Sequence, residues 1–526
     1  MITRRALLSV TTLAVARAAA AATPADIAVM GKHIGNIVSF DPAEAYEFSS
    51  TEIIANCYRR LVLGDPTDPN RLVADLAERW EVSLDGSRIT FTLRSDVVFE
   101  TGNAVTAEDA AFSLQRVVRL AKSPSMLLTQ FGFTAENVAR LIRAAGPGTL
   151  VIDLPEPRAT SFVLNCLSAT VGGIVERAAV LAHEQDGDLG NAWLKRTTAG
   201  AGPYRVSNWA PSEFVTLMAN PRAVPRARTS RIAIRHLPDP AAQYLQLRQG
   251  DIDIARDLGA DELKSLAGDA NLHTAAARQG TSLYIAANRA MPELAKPQVV
   301  QALKWAIDYE GIARTITPQT WVVEQSFLPQ GLPGALGAAP YRKDVARARE
   351  LLAQAGLADG FAVTMDYVTD SPQNDIAQVI QANLREIGVR VELLGGSTNQ
   401  VITKTRSRNF QLALQRWSTD YLDANSNAQW FSQSVDDSDA AKLKNMAWRC
   451  HFADAELTAQ SVAAARENDT ARRLDIYRDM QRSVLERAPL IFLLQRTEIA
   501  GLRRAVSGLS IGVIPDYTQY AGITKS

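Results

Sequence analysis

Cysteine is scarce in this chain: Cys57, Cys166 and Cys450 are the only three in 526 residues. Three thiols so far apart cannot frame a disulfide-stapled domain or a zinc ribbon. At most one bridge could form, and buried free thiols are the expectation. Excess charge is lacking too, with 56 Lys and Arg against 56 Asp and Glu. That balance removes the electrostatic basis for a nucleic acid or an anionic membrane as partner. The five histidines, His33, His183, His236, His273 and His451, are scattered. "HEQDG" (183–187) has no second His four residues on, so no metal site is indicated by spacing. There is no phosphate loop and no G-x-S-x-G elbow. "GAGPY" (200–204) reads as a turn, because Tyr204 replaces the Gly that a dinucleotide fingerprint needs. Beyond the N-terminus, no apolar run is long enough to span a bilayer.

What is present is the composition of a large folded protein, 47% hydrophobic and 21% charged. At 526 residues it is too long for one core, and about three domains or lobes of roughly 150–200 residues are expected. The N-terminus "MITRRALLSVTTLAVARAAAAATPAD" has Arg4 and Arg5, an apolar segment and Ala20-Ala21-Ala22, the three parts of a cleavable export signal. The paired arginines fit both twin-arginine and general secretory export. Removing residues 1–22 takes away Arg4, Arg5 and Arg17 and no acid, which leaves a mature chain of net charge −3. No Cys lies at the junction to carry a lipid. These features predict a soluble periplasmic protein.

Strand and helix signals alternate along the chain, which predicts an α/β fold. "RITFTLR" places Ile89, Phe91 and Leu93 on one face of a strand. Thr106 and Asp109 form a capping-box variant ahead of a helical stripe of Ala110, Leu114, Val117 and Ala121. "DVARARELLAQAG" opens with Asp344 as its cap and ends with Gly356 at the left-handed position. Ile376, Ile380, Leu384 and Ile387 make another helical stripe, closed by Gly388, after which Val389, Val391 and Leu393 alternate. Pro- and Gly-rich loops at 64–70, 199–204 and 328–341 mark candidate boundaries.

The stretch "LALQRWSTDYLDANSNAQWF" (412–431) carries the most chemistry. Asp420 and Asp423 stand among Trp417, Tyr421, Trp430 and Phe431. Carboxylates among aromatics suit a catalytic acid pair, as in glycoside hydrolysis, a metal site, or a cradle for a cationic ligand. A solvated turn between packed aromatics is the bland alternative.

Several blocks, in order, resemble the family 5 extracytoplasmic solute-binding proteins, the peptide/nickel group that serves ABC importers. These are "SFDPAEAYEFSSTEIIANCYRRLV" (39–62), "LVADLAERWEVSLDGSRITFTLRSDVVFETGNAVTAEDAAFSLQRV" (72–117), "AGPYRVSNWAPSEFVTLMANP" (202–221), "LRQGDIDIA" (247–255), "AANRAMPELAKPQVVQALKWAIDYEGI" (286–312), "ARELLAQAG" (348–356) and "IYRDMQRSVLERAPLIFL" (476–493). The resemblance implies a two-lobed, type II-like periplasmic binding protein fold with an extra subdomain inserted in the first lobe. Lobe I would comprise 23–63, 196–282 and 495–526, the insertion 64–195 and lobe II 283–494. It implies a protein that catalyses no reaction, needs no cofactor or metal, acts as a monomer, and hands a captured solute to inner-membrane permease subunits.

The resemblance also gives the stretch at 412–431 a role. Trp417, Asp420 and Tyr421 match the family's W-x-x-D-Y-like segment, whose aspartate pairs with the ligand's α-ammonium. Arg416 stands where the family often has Gly, and Asp423-Ala424 where it often has Asp-Pro. Arg416 would either neutralise Asp420 or hold a ligand carboxylate, and Asp423 is expected on an exposed rim. Ser49, within "EFSS", and Tyr284 are further ligand-facing candidates from their position alone. The implied solute is a short peptide or peptide-like amine. An opine, a nickel complex or an oligosaccharide is the alternative, and an exported carbohydrate-active hydrolase using Asp420 and Asp423 a more distant one.

Overall fold

The computed structural model describes residues 23–65, 68 and 71–526. The export signal read at 1–22 lies outside the described residues, as does part of the 64–70 loop.

One mixed sheet of eleven strands runs through the molecule. Its order is Arg390–Gly396, Ala362–Val368, Leu412–Ser418, Leu272–Ala287, Leu490–Arg503, Ile254–Ala255, Ile27–Lys32, Arg231–His236, Phe214–Ala219 and Tyr204–Ala210, with Trp321–Val323 added against Leu490–Arg503. The two long central strands, Leu272–Ala287 and Leu490–Arg503, are antiparallel partners over most of their length. At one end they join Ile254–Ala255 and Ile27–Lys32. At the other they join Leu412–Ser418. Their register slips between Arg278 and Ser282. There Gln495 bridges by side chain, its Nε2 donating to the carbonyls of Gln279 (3.0 Å) and Gln330 (2.6 Å). The extra residues of Leu272–Ala287 disrupt the ladder locally.

The local strand and helix signals match the structure except at Ala121, which is not on the buried helical stripe but is the exposed left-handed cap that ends the helix at Leu120. Ile89, Phe91 and Leu93 are buried in the strand Arg88–Leu93. Thr106 caps Ala107–Leu120 reciprocally with Asp109, and Asp344 caps Val345–Gln354. Gly356 and Gly388 adopt φ of 73° and 84°. All three cysteines are free and buried.

A separate four-stranded antiparallel sheet, Ala77–Val82, Arg88–Leu93, Thr149–Asp153 and Ile142–Gly146, packs against Ala107–Leu120 and Thr160–Ser168. Its apolar core also takes in Ala43, Leu61, Val62 and Ala201, next to the first-lobe sheet, and one residue from far along the chain, Tyr421. The part of the sheet that holds Leu272–Ala287 and Leu412–Ser418 has one core on each face. Leu283 and Ile285 point into one, Tyr284 and Ala286 into the other, as alternation along a strand requires.

Buried ion pairs pin the helix Phe48–Ile54 to the first-lobe sheet. Glu52 is paired with Lys32 and Arg256, and Arg256 in turn with Glu498. The Tyr520 hydroxyl also donates to Glu52, at 2.5 Å. Burial favours the neutral acid, but the two cations outweigh it and hold the Glu52 carboxyl low.

Candidate functional site

The strand Leu412–Ser418 ends at Ser418, and a short loop leads to the helix Ala424–Ser432. Two contacts shape this loop. The bulged Gly280 accepts from the Thr419 amide (2.9 Å) and hydroxyl (3.1 Å). Asn427 is fully buried, and its Oδ1 accepts from Trp417 Nε1 (3.1 Å) and Thr419 Oγ1 (3.0 Å). A side chain at position 280 would stand 3.2 Å from Thr419 and Ile514, so the close approach favours glycine there. The loop held in this way delivers Asp420 into a cavity shared with residues of 45–51, 124–127, 169–171 and 515–516.

That cavity measures about 60 Å³ and is walled by Tyr46, Phe48, Thr51, Thr170, Asp420 and Asp516, with small apolar neighbours. The Tyr46 hydroxyl donates to Asp420 Oδ1 at 2.6 Å, and the Asp420 amide donates to Ser426 Oγ at 3.2 Å. Among the described residues, no cation pairs with Asp420. Burial raises its pKa to about 6, and the neighbouring Asp516 carboxylate pushes the same way against the Tyr46 hydrogen bond. Burial and the Asp420 carboxylate drive the Tyr46 phenol well above its usual range, so it remains a donor. Asp516 is engaged, accepting from the Thr170 amide at 2.6 Å. The result is a small acidic chamber with an unpaired carboxylate.

The other expected site residues are placed differently. Asp423 is not a rim charge. It is fully buried and takes both terminal nitrogens of Arg473, at 2.9 and 2.6 Å. It also accepts from Asn165 Nδ2 (2.8 Å) and caps Ala424–Ser432 through the Asn425 amide (2.8 Å). With both oxygens committed in this way, Asp423 cannot partner Asp420 as an acid/base dyad. Tyr421 is buried in the core of the four-stranded sheet, stacked on Phe162 with ring centroids 5.9 Å apart. Arg416 is exposed and paired with Asp370 at 2.5 Å, so it does not neutralise Asp420. Trp417 stacks on Trp430 at 4.1 Å, half-buried. Ser49 is buried and donates to the His33 carbonyl (3.1 Å). Tyr284 is buried edge-on to Phe431, its hydroxyl 3.3 Å from Gln415 Oε1.

Tyr46, Asp516 and Asn427 are absent from the candidates that the sequence supplies. Tyr46 lies one residue before the "EFSS" segment, close enough to have been considered with it. Asp516 and Asn427 carry no local signal. Among the described residues there is no group of three or more His, Cys, Asp or Glu placed to hold a metal ion.

With this geometry in view, the chain belongs to the bacterial extracellular solute-binding proteins, family 5, whose middle-region model matches residues 71–439. It is therefore a two-lobed solute-binding protein. Its relatives include the probable D,D-dipeptide-binding periplasmic protein DdpA of Escherichia coli (strain K12), 25% identical over 503 residues that cover 93% of this chain and 92% of the relative. A periplasmic binding protein DppA from Helicobacter pylori, solved in complex with peptide STSA, matches with TM-score 0.75 and 22% identity over 95% of this chain and 98% of that one. NikZ from Campylobacter jejuni, solved with Ni(L-His), matches with TM-score 0.76 and 20% identity over 96% and 100%. No described helix is long and apolar enough to cross a membrane.

Proposed function

We propose that this protein captures a small solute bearing a primary ammonium, a short peptide or peptide-like amine, and delivers it to the permease of an ABC importer. The observation that carries this reading is Asp420, a carboxylate in a confined cavity with a phenol donor and no cation among the described residues. A ligand ammonium would supply the missing charge through a charge-assisted hydrogen bond. Asp516 nearby adds negative potential, and the exposed Phe48 ring offers an apolar or cation–π face. Relatives named for a dipeptide and a bound peptide support the ligand class.

The working movement is hinge closure about the bulge at 278–282. The lobes are taken as 23–63, 196–282 and 495–526 against 283–494, with the insertion 64–195 riding on the first. Solute contacts from both sides exist only when the lobes meet, so binding shifts the equilibrium toward closure. No chemical step is assigned, and the protein works as a monomer. Export through a leader at 1–22 fits the anchoring of Thr23, whose hydroxyl bonds Asp253 at 2.8 Å. N-terminal sequencing of the periplasmic protein should start at Thr23.

A thermal-shift screen of di- to pentapeptides tests the function. At a free ligand concentration about 100 times Kd, stabilisation should be about 2.7 kcal/mol, with the ligand recovered unchanged. Repeated conversion of a bound ligand, or no stabilisation by any peptide, would overturn the reading.

A further inference from the structure

A second cavity, of about 270 Å³, lies against Phe162, the ring on which Tyr421 stacks. It shares no lining residue with the Asp420 cavity. One wall is the helix Ala424–Ser432 and its cap, where Asn425, Gln429 and Gln433 follow at four-residue spacing and share a face. A second wall is the end of the helix Ala455–Ala464, with Ser461 and Val462. Gln130, Arg158 and Phe162 close it from a distant part of the chain.

The polar groups facing this cavity are neutral and under-used. Gln429 and Gln433 bond Asn445 through their main-chain carbonyls, at 2.5 and 2.7 Å. Their side-chain amides have no partner among the described residues. Gln130 Nε2 donates to the Leu127 carbonyl (3.1 Å), which leaves its Oε1 open to the cavity. Ser461 is buried, and its Oγ has no partner. A helical serine can bond back to the carbonyl four residues earlier, and Ser461 does not. A buried hydroxyl left in that state calls for a ligand or a water. Asn425 is already engaged: its Nδ2 donates to the Tyr421 hydroxyl (3.2 Å), and its Oδ1 accepts from the Tyr477 hydroxyl (3.3 Å). Charge is confined to one corner, where Arg158 and Arg466 both pair with Glu156, at 3.0 and 3.5 Å.

We propose that this cavity is a second binding site, for a neutral polyhydroxylated solute the size of one sugar ring. A side-chain amide carries a donor and an acceptor in one plane. It therefore matches two neighbouring hydroxyls, one accepting and one donating. Gln429 and Gln433 supply two such amides, and the Gln130 oxygen and the Ser461 hydroxyl add two further contacts. Phe162 and Val462 give the C–H face of the ring an apolar surface. Pockets for drug-sized ligands run from about 300 Å³ upward, so a cavity of about 270 Å³ suits one ring and not a chain of them. An anion would have to compete with Glu156 for both arginines. The inference does not depend on the ammonium reading of Asp420.

The test is calorimetry and ligand-observed NMR on the whole protein with glucose, galactose, mannose, ribose and sorbitol. Millimolar concentrations keep the general stabilising effect of excluded osmolytes out of the measurement. At least one of these compounds should bind saturably, and its aldonic acid should bind more weakly. Gln429→Leu and Gln433→Leu have no side-chain hydrogen bond to lose in the empty protein, so both should fold normally. Each removes a donor and an acceptor and should weaken binding by about tenfold. Ser461→Ala should weaken it several-fold without lowering the denaturation midpoint of the empty protein. Asp420→Asn should leave it unchanged. No saturable binding by any of the five would leave the cavity to water and overturn the proposal. So would tighter binding of the aldonate, or binding that survives both glutamine substitutions. Loss of sugar binding in Asp420→Asn would move the sugar to the other cavity and overturn the second site. Peptides that fail to bind would sink the ammonium reading alone, and the sugar measurements would still decide this one.

Discussion

Replacing Asp420 by asparagine should stabilise the empty protein and cripple it as a carrier. The substitution keeps the shape, and the introduced amide oxygen can still accept the Tyr46 hydroxyl that now reaches Asp420 at 2.6 Å. What goes is a confined charge. The Asp420 pKa is about 6 in the fold, against about 3.9 for a free aspartate, a difference of about two units at about 1.4 kcal/mol each. The folded state therefore holds the proton more tightly than the unfolded chain. Its stabilisation by protonation is present at low pH and lost as pH rises from about 4 through 6. At pH 7 the empty wild type should be less stable than Asp420→Asn by up to about 3 kcal/mol, solvent entering the cavity reducing that figure. The two should converge near pH 4. Binding runs the other way. An ammonium left beside a neutral amide in a closed cleft loses about 3–5 kcal/mol, about a hundred- to several-thousand-fold in Kd. Wild-type affinity should also fall about tenfold per pH unit below 6, because the proton competes with the amine. Denaturant melts at several pH values and calorimetry with a confirmed peptide read both effects. Unchanged affinity in Asp420→Asn would remove the residue from the site. A stability difference that does not vary with pH would refute the electrostatic account.

Asp423→Asn is expected to act on the fold: it strands the buried Arg473 guanidinium, should cost about 3–5 kcal/mol, and should show as a lowered denaturation midpoint. Lys304 is buried and, among the described residues, has only the Leu485 and Ala488 carbonyls as acceptors, and burial pulls its pKa down to about 7. The unfolded chain then binds the proton more tightly, so this group's contribution to stability should rise between about pH 7 and 10. Lys304→Met should flatten that part of the wild-type stability profile, and a difference between the two that is constant over that range would refute it.

The helices and strands were legible because their signals are local. Thr106 and Asp109, Asp344 and Gly356, and the stripe from Ile376 to Ile387 lie within a few residues of what they cap or face. Asp420 was legible as a site candidate from its setting among aromatics, and as an ammonium partner through the family pattern. The roles of its neighbours were not, because their partners are remote in sequence. Asp423 meets Arg473 fifty residues later and Asn165 far earlier, and no spacing rule connects them. Arg416 was no better placed by the sequence. Its partner Asp370 lies 46 residues earlier, and the burial along Leu412–Ser418 does not alternate to announce it.

Tyr421 sets a timescale as well as a packing arrangement. It is carried by the second lobe's loop, yet its ring lies in the core shared by the four-stranded sheet and the first lobe. On the lobe division proposed above, opening the cleft withdraws that ring and breaks the Asn165–Asp423 hydrogen bond. Exposing about 150–250 Å² of aromatic surface at about 25 cal/mol per Å² costs on the order of 4–6 kcal/mol. That packing favours closure before solute arrives, and the solute contacts add to it. Stopped-flow association rates should level off at high solute concentration instead of rising linearly. Residence time is then governed by residues that never touch the cargo. Release into a permease follows from prising one tyrosine out of its socket, an action a membrane partner can perform mechanically without competing for the solute.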